Sequence, residues 1–213
     1  MKGASKVIQV EHVVKWIQLT HQKIVATKDK LTELDQAIGD GDHGINLARG
    51  LDAAIQNLSP DESKEDLGEV FQKIGMALIA KVGGASGALY GSAFVHMAKV
   101  CKGKKLISLA ELAQVIEAGA MGIKARGRAE VGDKTMLDIW QPLADYLNEH
   151  IEKVSWEKVQ QFLFEQMEKT KELVAKKGRA AFLESRSIGH LDPGAVSSTY
   201  LFIALCETLD RGE

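Results

Sequence analysis

Three aspartates within eight residues stand in the stretch Asp35-Gln36-Ala37-Ile38-Gly39-Asp40-Gly41-Asp42-His43-Gly44. Glycines at 39, 41 and 44 let the backbone turn tightly around them. Carboxylates gathered so closely repel one another, so folding them together is unfavourable unless a cation lies between them. All the ligands offered are hard oxygens, which selects magnesium or calcium over zinc. Magnesium commonly shares its shell with substrate phosphates, so a small Asp cluster points to a metal–nucleotide site. The competing explanation is a polar, glycine-rich turn with solvated acids. These ten residues alone leave both open.

Calcium is testable in the spacing. An EF-hand loop requires an oxygen ligand at its fifth position, Gly at its sixth and Glu at its twelfth. Counted from Asp40, those places hold Gly44, Ile45 and Leu51, so the pattern fails. Zinc is no better served, because the six histidines are scattered and no His-Glu-x-x-His occurs.

Glycine also collects at other junctions: Val82-Gly83-Gly84-Ala85-Ser86-Gly87, Arg126 to Thr135, Lys177-Gly178-Arg179-Ala180, and Gly189 to Gly194. Helix N-termini and glycine turns expose backbone N–H groups that suit phosphate oxygens. In an antiparallel helical array alternate junctions share one end, which would gather these loops around one ligand. Each signal has a plainer explanation. Gly83-Gly84 can end a helix, Gly87 and Gly91 can let helices approach, and Asp192-Pro193 is a good helix start with or without a ligand. His43 can be a helix-start polar residue, and Arg179 and Arg186 can be surface charges, although Arg is the usual phosphate partner. Gly127 to Thr135 nearly spells a P-loop, but Asp133 interrupts the Gly-Lys-Thr and the segment follows a helix rather than a strand, so a P-loop NTPase is excluded.

The elements that must position these loops are helical. Leu67, Val70, Phe71, Ile74, Ala77 and Leu78 make one apolar stripe with Lys81 at its end, and Leu47, Leu51, Ala54, Ile55 and Leu58 make another. Ser108-x-x-Glu111 reads as a capping box. A helix follows Asp133 with Pro142 inside it, where a kink or a missing backbone bond is expected. Ser155 is expected to cap a long helix through Val159, Leu163, Gln166, Thr170 and Val174. Asp192-Pro193 opens a final helix, apolar on most faces and deeply buried. With the stretch from about Val10 to Ile38 and a small-residue helix after Gly87, roughly eight helices are expected. The one candidate strand is Val7 to Val10. The chain reads as all-α, with no linker, repeat or composition break dividing its 213 residues.

Composition narrows the classes. Apolar residues are 45%, charged residues 26% and the formal charge is −2, which gives no electrostatic case for nucleic acid. No apolar run approaches membrane-spanning length and no signal-peptide pattern opens the chain, so neither membrane nor export is expected. Cys101 and Cys206 lie far apart without metal-like spacing, which fits a cytoplasmic protein with free thiols in its core.

Taken together, the blocks Asp35…Gly39-Asp40-Gly41-Asp42-His43-Gly44, Val82 to Gly87, Gly132-Asp133-Lys134-Thr135-Met136 and Arg186 to Gly194 resemble the L subunit of dihydroxyacetone kinase, in the family's order and across most of the chain. Ala88 departs from the family, which often has Pro after the Ser-Gly pair. The resemblance implies a single domain over residues 1–213, an eight-helix antiparallel barrel with the nucleotide at one end. It implies that Asp35, Asp40 and Asp42 hold two Mg2+ ions. It also implies that His43, Gly44, Ile45, Asn46, Ala85, Ser86, Gly127, Met136, Arg179, Asp192, Pro193 and Gly194 line the ADP/ATP site. The Ser86 hydroxyl and backbone amides would meet phosphate and Met136 the adenine.

Transfer in such a site depends on positioning and charge neutralisation, and no side-chain base need be invoked. In the family, dihydroxyacetone is held covalently by a histidine of a separate K subunit. Free-standing L subunits usually keep ADP, which the M subunit of a phosphoenolpyruvate-dependent phosphotransferase system rephosphorylates. That arrangement is expected here, with the chain half of a cytoplasmic enzyme of glycerol metabolism. The alternatives are a subunit exchanging free ATP, acting on dihydroxyacetone or a fatty acid, and a nucleotide sensor that binds a transcriptional regulator.

Overall fold

The computed structural model describes residues 7–58 and 65–210. Among them are eight α-helices: α1 (Val10–Ile38), α2 (His43–Gln56), α3 (Leu67–Lys81), α4 (Gly84–Cys101), α5 (Leu109–Gly127), α6 (Leu137–His150), α7 (Trp156–Lys169) and α8 (Pro193–Asp210). Each helix packs on the one before it and the one after it, and α8 closes on α1. The result is the expected eight-helix barrel. Two short strands, β1 (Val7–Gln9) and β2 (Leu106–Ser108), pair antiparallel with Ile8 opposite Ile107 and tie the start of α1 to the start of α5. β1 agrees with the sequence reading; β2, three residues long, was not foreseen.

Local signals set several boundaries. Ser108 caps α5 by accepting the Glu111 N–H while the Glu111 carboxylate reaches back to the Ser108 N–H. Asp66 and Glu69 make a second capping box at α3, and Asp66 also accepts the Gly103 N–H, joining both ends of the α3–α4 hairpin. Helix α4 begins at Gly84, four residues before the start after Gly87 that the small-residue pattern indicates. Gly75 and Gly91 let α3 and α4 approach closely, since a Cβ on Gly91 would overlap Ile79 and meet the Gly75 carbonyl. α6 runs on through Pro142, whose ring nitrogen has no proton for the Asp138 carbonyl.

Helix α7 is shorter than the three-four spacing through Val174 indicates. α7 stops at Lys169, is followed by a single 3-10 turn (Thr170–Glu172), and leaves Val174 outside any helix and exposed. Thr170 ends the helix by turning its hydroxyl back onto the Met167 carbonyl while also accepting the Asp192 N–H, so its side chain serves the loop before α8.

The core is aromatic at its centre. Trp16 of α1 packs against Phe71, Phe94 and Phe202, and Trp140 meets Phe202 edge-on at 4.7 Å. The Trp16 indole N–H donates to the Leu201 carbonyl at 2.7 Å, which satisfies a polar atom that burial would otherwise leave costly. Helix α8 is buried on almost every face, as its sequence requires. Cys101 and Cys206 are free and buried. No helix among the described residues is long and apolar enough to cross a membrane.

Candidate metal centre and cavity

The Asp cluster sits where α1 gives way to α2. Asp35 is buried in the last turn of α1, and its Oδ2 accepts the N–H of Asp42 at 2.9 Å and of His43 at 3.2 Å. Those are orphan donors at the start of α2, whose N-cap residue Asp42 makes no side-chain cap itself. Asp35 therefore supplies the negative charge that a helix N-terminus favours. Gly39 is required by this geometry, because a Cβ there would overlap Asp35 Oδ1. Gly41 takes φ +76°, open to glycine and strained for other residues. One carboxylate oxygen from each of Asp35, Asp40 and Asp42 then lies within 4.8 Å of the other two. Asp40 and Asp42 are exposed, and Asp40 Oδ2 pairs with Arg179 at 3.0 Å.

These oxygens open into a cavity of about 630 Å³. Its lining comes from junctions far apart in sequence: the α1–α2 loop, the first turn of α4, the segment after α5, the stretch around Arg179, and the start of α8. Leu89, Ile123, Ala129 and Met136 make an apolar wall, while Arg126, Lys177 and Arg179 add positive charge. Of the residues singled out in the sequence, Asp35, Asp40, Asp42, His43, Ala85, Ser86, Gly127, Met136, Arg179, Asp192, Pro193 and Gly194 all line it. Gly44, Ile45 and Asn46 are not among its lining residues. Gly44 packs its Cα against the Lys28 carbonyl of α1, Ile45 is exposed, and Asn46 is buried and accepts a hydrogen bond from Arg49.

His43 is buried, and both ring nitrogens are engaged: Nδ1 with Ser86 Oγ and Nε2 with Ser197 Oγ, each at 2.8 Å. Burial pushes its pKa below the usual value, against the opposing pull of the Asp35 and Asp42 charges, so the imidazole is neutral. Asp192 caps α8 by accepting the Ala195 N–H at 2.7 Å. Burial pushes its carboxyl up to about 7, partly offset by that hydrogen bond and raised further by the charge of Asp138.

Lys134 was not foreseen as a site residue. It is 1% exposed, adopts φ +61°, and its Nζ donates to the carbonyls of Thr170 and His190. It thus joins the wall after α5 to the wall before α8. The neighbouring Asp138 takes the N–H groups of Gly132 and Thr135, and Asp133 pairs with Lys176 and Lys177. Lys134 lay inside a noted motif block, but nothing local marks a lysine as buried; that depends on two carbonyls 36 and 56 positions away.

The donor set fits a hard divalent cation: three oxygen ligands, one of them held by backbone N–H groups, at the mouth of a cavity with basic side chains. A closed helical ring with an acidic loop and a loop-walled cavity at one end defines the class of protein. Residues 37–207 match the model of the DAK2 domain. The chain is 46% identical to "PEP-dependent dihydroxyacetone kinase 1, ADP-binding subunit DhaL" of Listeria innocua, covering 92% of this chain and 94% of that one. It is 37% identical to the corresponding "PEP-dependent dihydroxyacetone kinase, ADP-binding subunit DhaL" of Escherichia coli, over 89% of this chain and 92% of that protein. The chain belongs to the DAK2 domain family, in the branch of the dihydroxyacetone kinase L subunits. Its fold is also that of the dihydroxyacetone kinase of C. freundii, with a TM-score of 0.71 at 23% identity for the native form, covering 97% of this chain. For the form in complex with AMP-PNP and Mg2+ the TM-score is 0.69 at 26% identity. The chain spans 36% of the length of those solved chains.

Proposed function

We propose that the chain is the nucleotide-binding subunit of a phosphotransferase-dependent dihydroxyacetone kinase. It holds ADP/ATP with two Mg2+ ions, passes a phosphoryl group to dihydroxyacetone held on a separate K subunit, and has its ADP rephosphorylated by an M subunit, all in the cytoplasm. The whole of residues 1–213 is one domain of this type. The observation that carries the reading is the convergence of three aspartate oxygens within 4.8 Å at a cavity of about 630 Å³, a volume in the range of small-molecule sites. The L-subunit relatives of matching length, named as phosphoenolpyruvate-dependent, support the phosphoryl source. The C. freundii kinase solved with AMP-PNP and Mg2+ supports the ligand.

Bound at the triad, Mg2+ supplies neutralisation of the phosphate charge and a template that orients it. Asp35, Asp40 and Asp42 would hold the two cations. The first turn of α4 offers backbone N–H groups to phosphate oxygens, and α8 adds the Gly194 N–H alone, because Pro193 has none and those of Ala195 and Val196 are taken by Asp192. Arg179, now on Asp40, has the planar fork that suits phosphate once a cation takes its place. Met136, Leu89 and Ile123 give the base an apolar wall and exclude water from it. No side chain here is assigned as a general base.

The test is to denature freshly purified protein and identify released nucleotide and metal by chromatography and elemental analysis. Near-stoichiometric ADP with magnesium is expected. Freely exchanging ATP would favour the ATP-dependent alternative, and a protein that neither retains nor binds nucleotide would overturn the reading. Asp40→Ala and Asp42→Ala are expected to stay folded and lose nucleotide retention and transfer; wild-type transfer in both would refute the metal role. Without metal, Asp42→Ala should melt at or above the wild type because like-charge repulsion is relieved. Asp40→Ala gives up only an exposed ion pair, worth less than about 1 kcal/mol.

A further inference from the structure

Six polar contacts run from the cavity wall into the core: His43 Nδ1 with Ser86 Oγ, His43 Nε2 with Ser197 Oγ, Tyr90 Oη with Ser197 Oγ and with Ser198 Oγ, Trp140 Nε1 with Ser198 Oγ, and Ser197 Oγ with the Gly194 carbonyl. Their lengths run from 2.7 Å (Tyr90–Ser197) to 3.1 Å (Ser197–Gly194). Each contact needs one proton. The four hydroxyls and the indole carry one apiece, and the buried imidazole, whose two nitrogens both face uncharged hydroxyls with no carboxylate to pair an imidazolium, carries one more, so the supply matches the demand.

That match leaves one assignment. Trp140 donates to Ser198, and the Gly194 carbonyl can only accept, so the Ser197 proton goes there. Tyr90 must then donate to Ser197, and Ser198 to Tyr90. With the Ser197 proton spent, His43 Nε2 must carry the imidazole proton and donate to Ser197. Nδ1 is left bare and accepts the Ser86 proton. The Ser86 hydroxyl, on the cavity wall, therefore turns its proton inward and its lone pairs toward the ligand.

We propose that His43 is a positioning residue: through its Nε2–H tautomer it fixes Ser86 as a hydrogen-bond acceptor at the cavity wall. Ser86 then offers an oxygen to a cation or a cation-bound water, and phosphate at this corner is met by the backbone N–H groups of the first turn of α4. This reverses the sequence expectation that the Ser86 hydroxyl donates to phosphate. The ligand assignment rests on the proposed function; the tautomer does not.

The deciding experiment labels the histidine ring nitrogens with 15N and reads them by NMR at neutral pH, without ligand and then with Mg2+ and ADP. His43 Nδ1 is expected at the shift of an unprotonated nitrogen and Nε2 at that of a protonated one, in both states. A protonated Nδ1 in either state overturns the proposal, and wild-type protein suffices for this arm. Ser86→Ala and His43→Phe are each expected to weaken Mg–ADP binding by about 10–100-fold, as loss of an outer-shell partner does. The double variant should bind no more weakly than Ser86→Ala alone, and His43→Asn, whose amide oxygen can accept the Ser86 proton, should recover most of the loss. Additive losses would overturn the linkage through Ser86. Wild-type protein that binds no nucleotide would refute the proposed function, while the ring-nitrogen result would still decide the tautomer.

Discussion

Asp35 has two jobs that can be separated by substitution. Its Oδ2 takes the N–H groups of Asp42 and His43, and its carboxylate is one corner of the aspartate triad proposed to hold the metal. Hydrogen bonds to a charged group contribute about 1.5–3 kcal/mol each. Asp42 is exposed, so its freed N–H can turn to water, whereas His43 is buried and its N–H cannot. Asp35→Ala should therefore cost about 2–4 kcal/mol. For a chain of this size that lowers the melting temperature by roughly 4–16 °C, at about 2–4 °C per kcal/mol. Asp35→Asn keeps an acceptor oxygen in place, loses the charge, and relieves repulsion with Asp40 and Asp42, so about 1 kcal/mol should be lost. The two variants should thus melt several degrees apart in metal-free buffer, yet both should lose Mg-dependent ADP binding. Calorimetric melting with and without chelator, paired with titration of Mg–ADP, reads both effects. If both variants melt with the wild type, the capping argument is wrong. If Asp35→Asn binds Mg–ADP normally, the triad is not the metal site.

Gly44→Ala should destabilise by about 1–3 kcal/mol, because the new Cβ would overlap the Lys28 carbonyl, backbone that cannot rotate away; denaturant unfolding with an unchanged midpoint would refute this. Asp192, with its carboxyl at about 7, binds more protons folded than unfolded between pH 4 and 7, so its contribution to metal-free stability is fully present below about pH 4 and is lost as pH rises through 7. The stability difference between wild type and Asp192→Asn should accordingly fall across that window and flatten above it, measured by urea midpoints at several pH values. A difference independent of pH would show that the carboxyl is not desolvated. Lys134→Met should cost about 1–3 kcal/mol by leaving the His190 carbonyl without its donor, and should speed proteolysis of residues 170–192 in particular; uniform cleavage would count against its role as a tie between the two walls.

Much of the ring of helices was legible in the chain because helix signals are local. The span of α1, the apolar stripe and bounds of α3, the Ser108 capping box and the start of α8 at Pro193 all depend on residues within a turn or two of one another. The reading overran at α7, where the three-four spacing continues to Val174 but Thr170 gives its hydroxyl to the loop before α8. It started α4 late, since glycine is a poor helix former by propensity and packing of α4 against α3 overrode that. The clustering of the three carboxylates was visible for the same reason the helices were: Asp35, Asp40 and Asp42 lie within eight residues, and the loop that joins them is short.

What the chain alone could not show is how those pieces meet. His43 engages Ser86 and Ser197, 43 and 154 positions away, and so becomes a buried, neutral anchor where the sequence offers only a histidine beside an aspartate. Lys134 reads as a charge in a loop and is buried because two carbonyls from the opposite wall take up its ammonium. Local spacing determined the helices, their caps and the acidic loop, because backbone hydrogen bonds and apolar periodicity act over a few residues. Closure of α8 on α1 decided the cavity, its buried ionisable groups and the hydroxyl network, because desolvation and hydrogen bonding depend on neighbours that only the folded ring brings together.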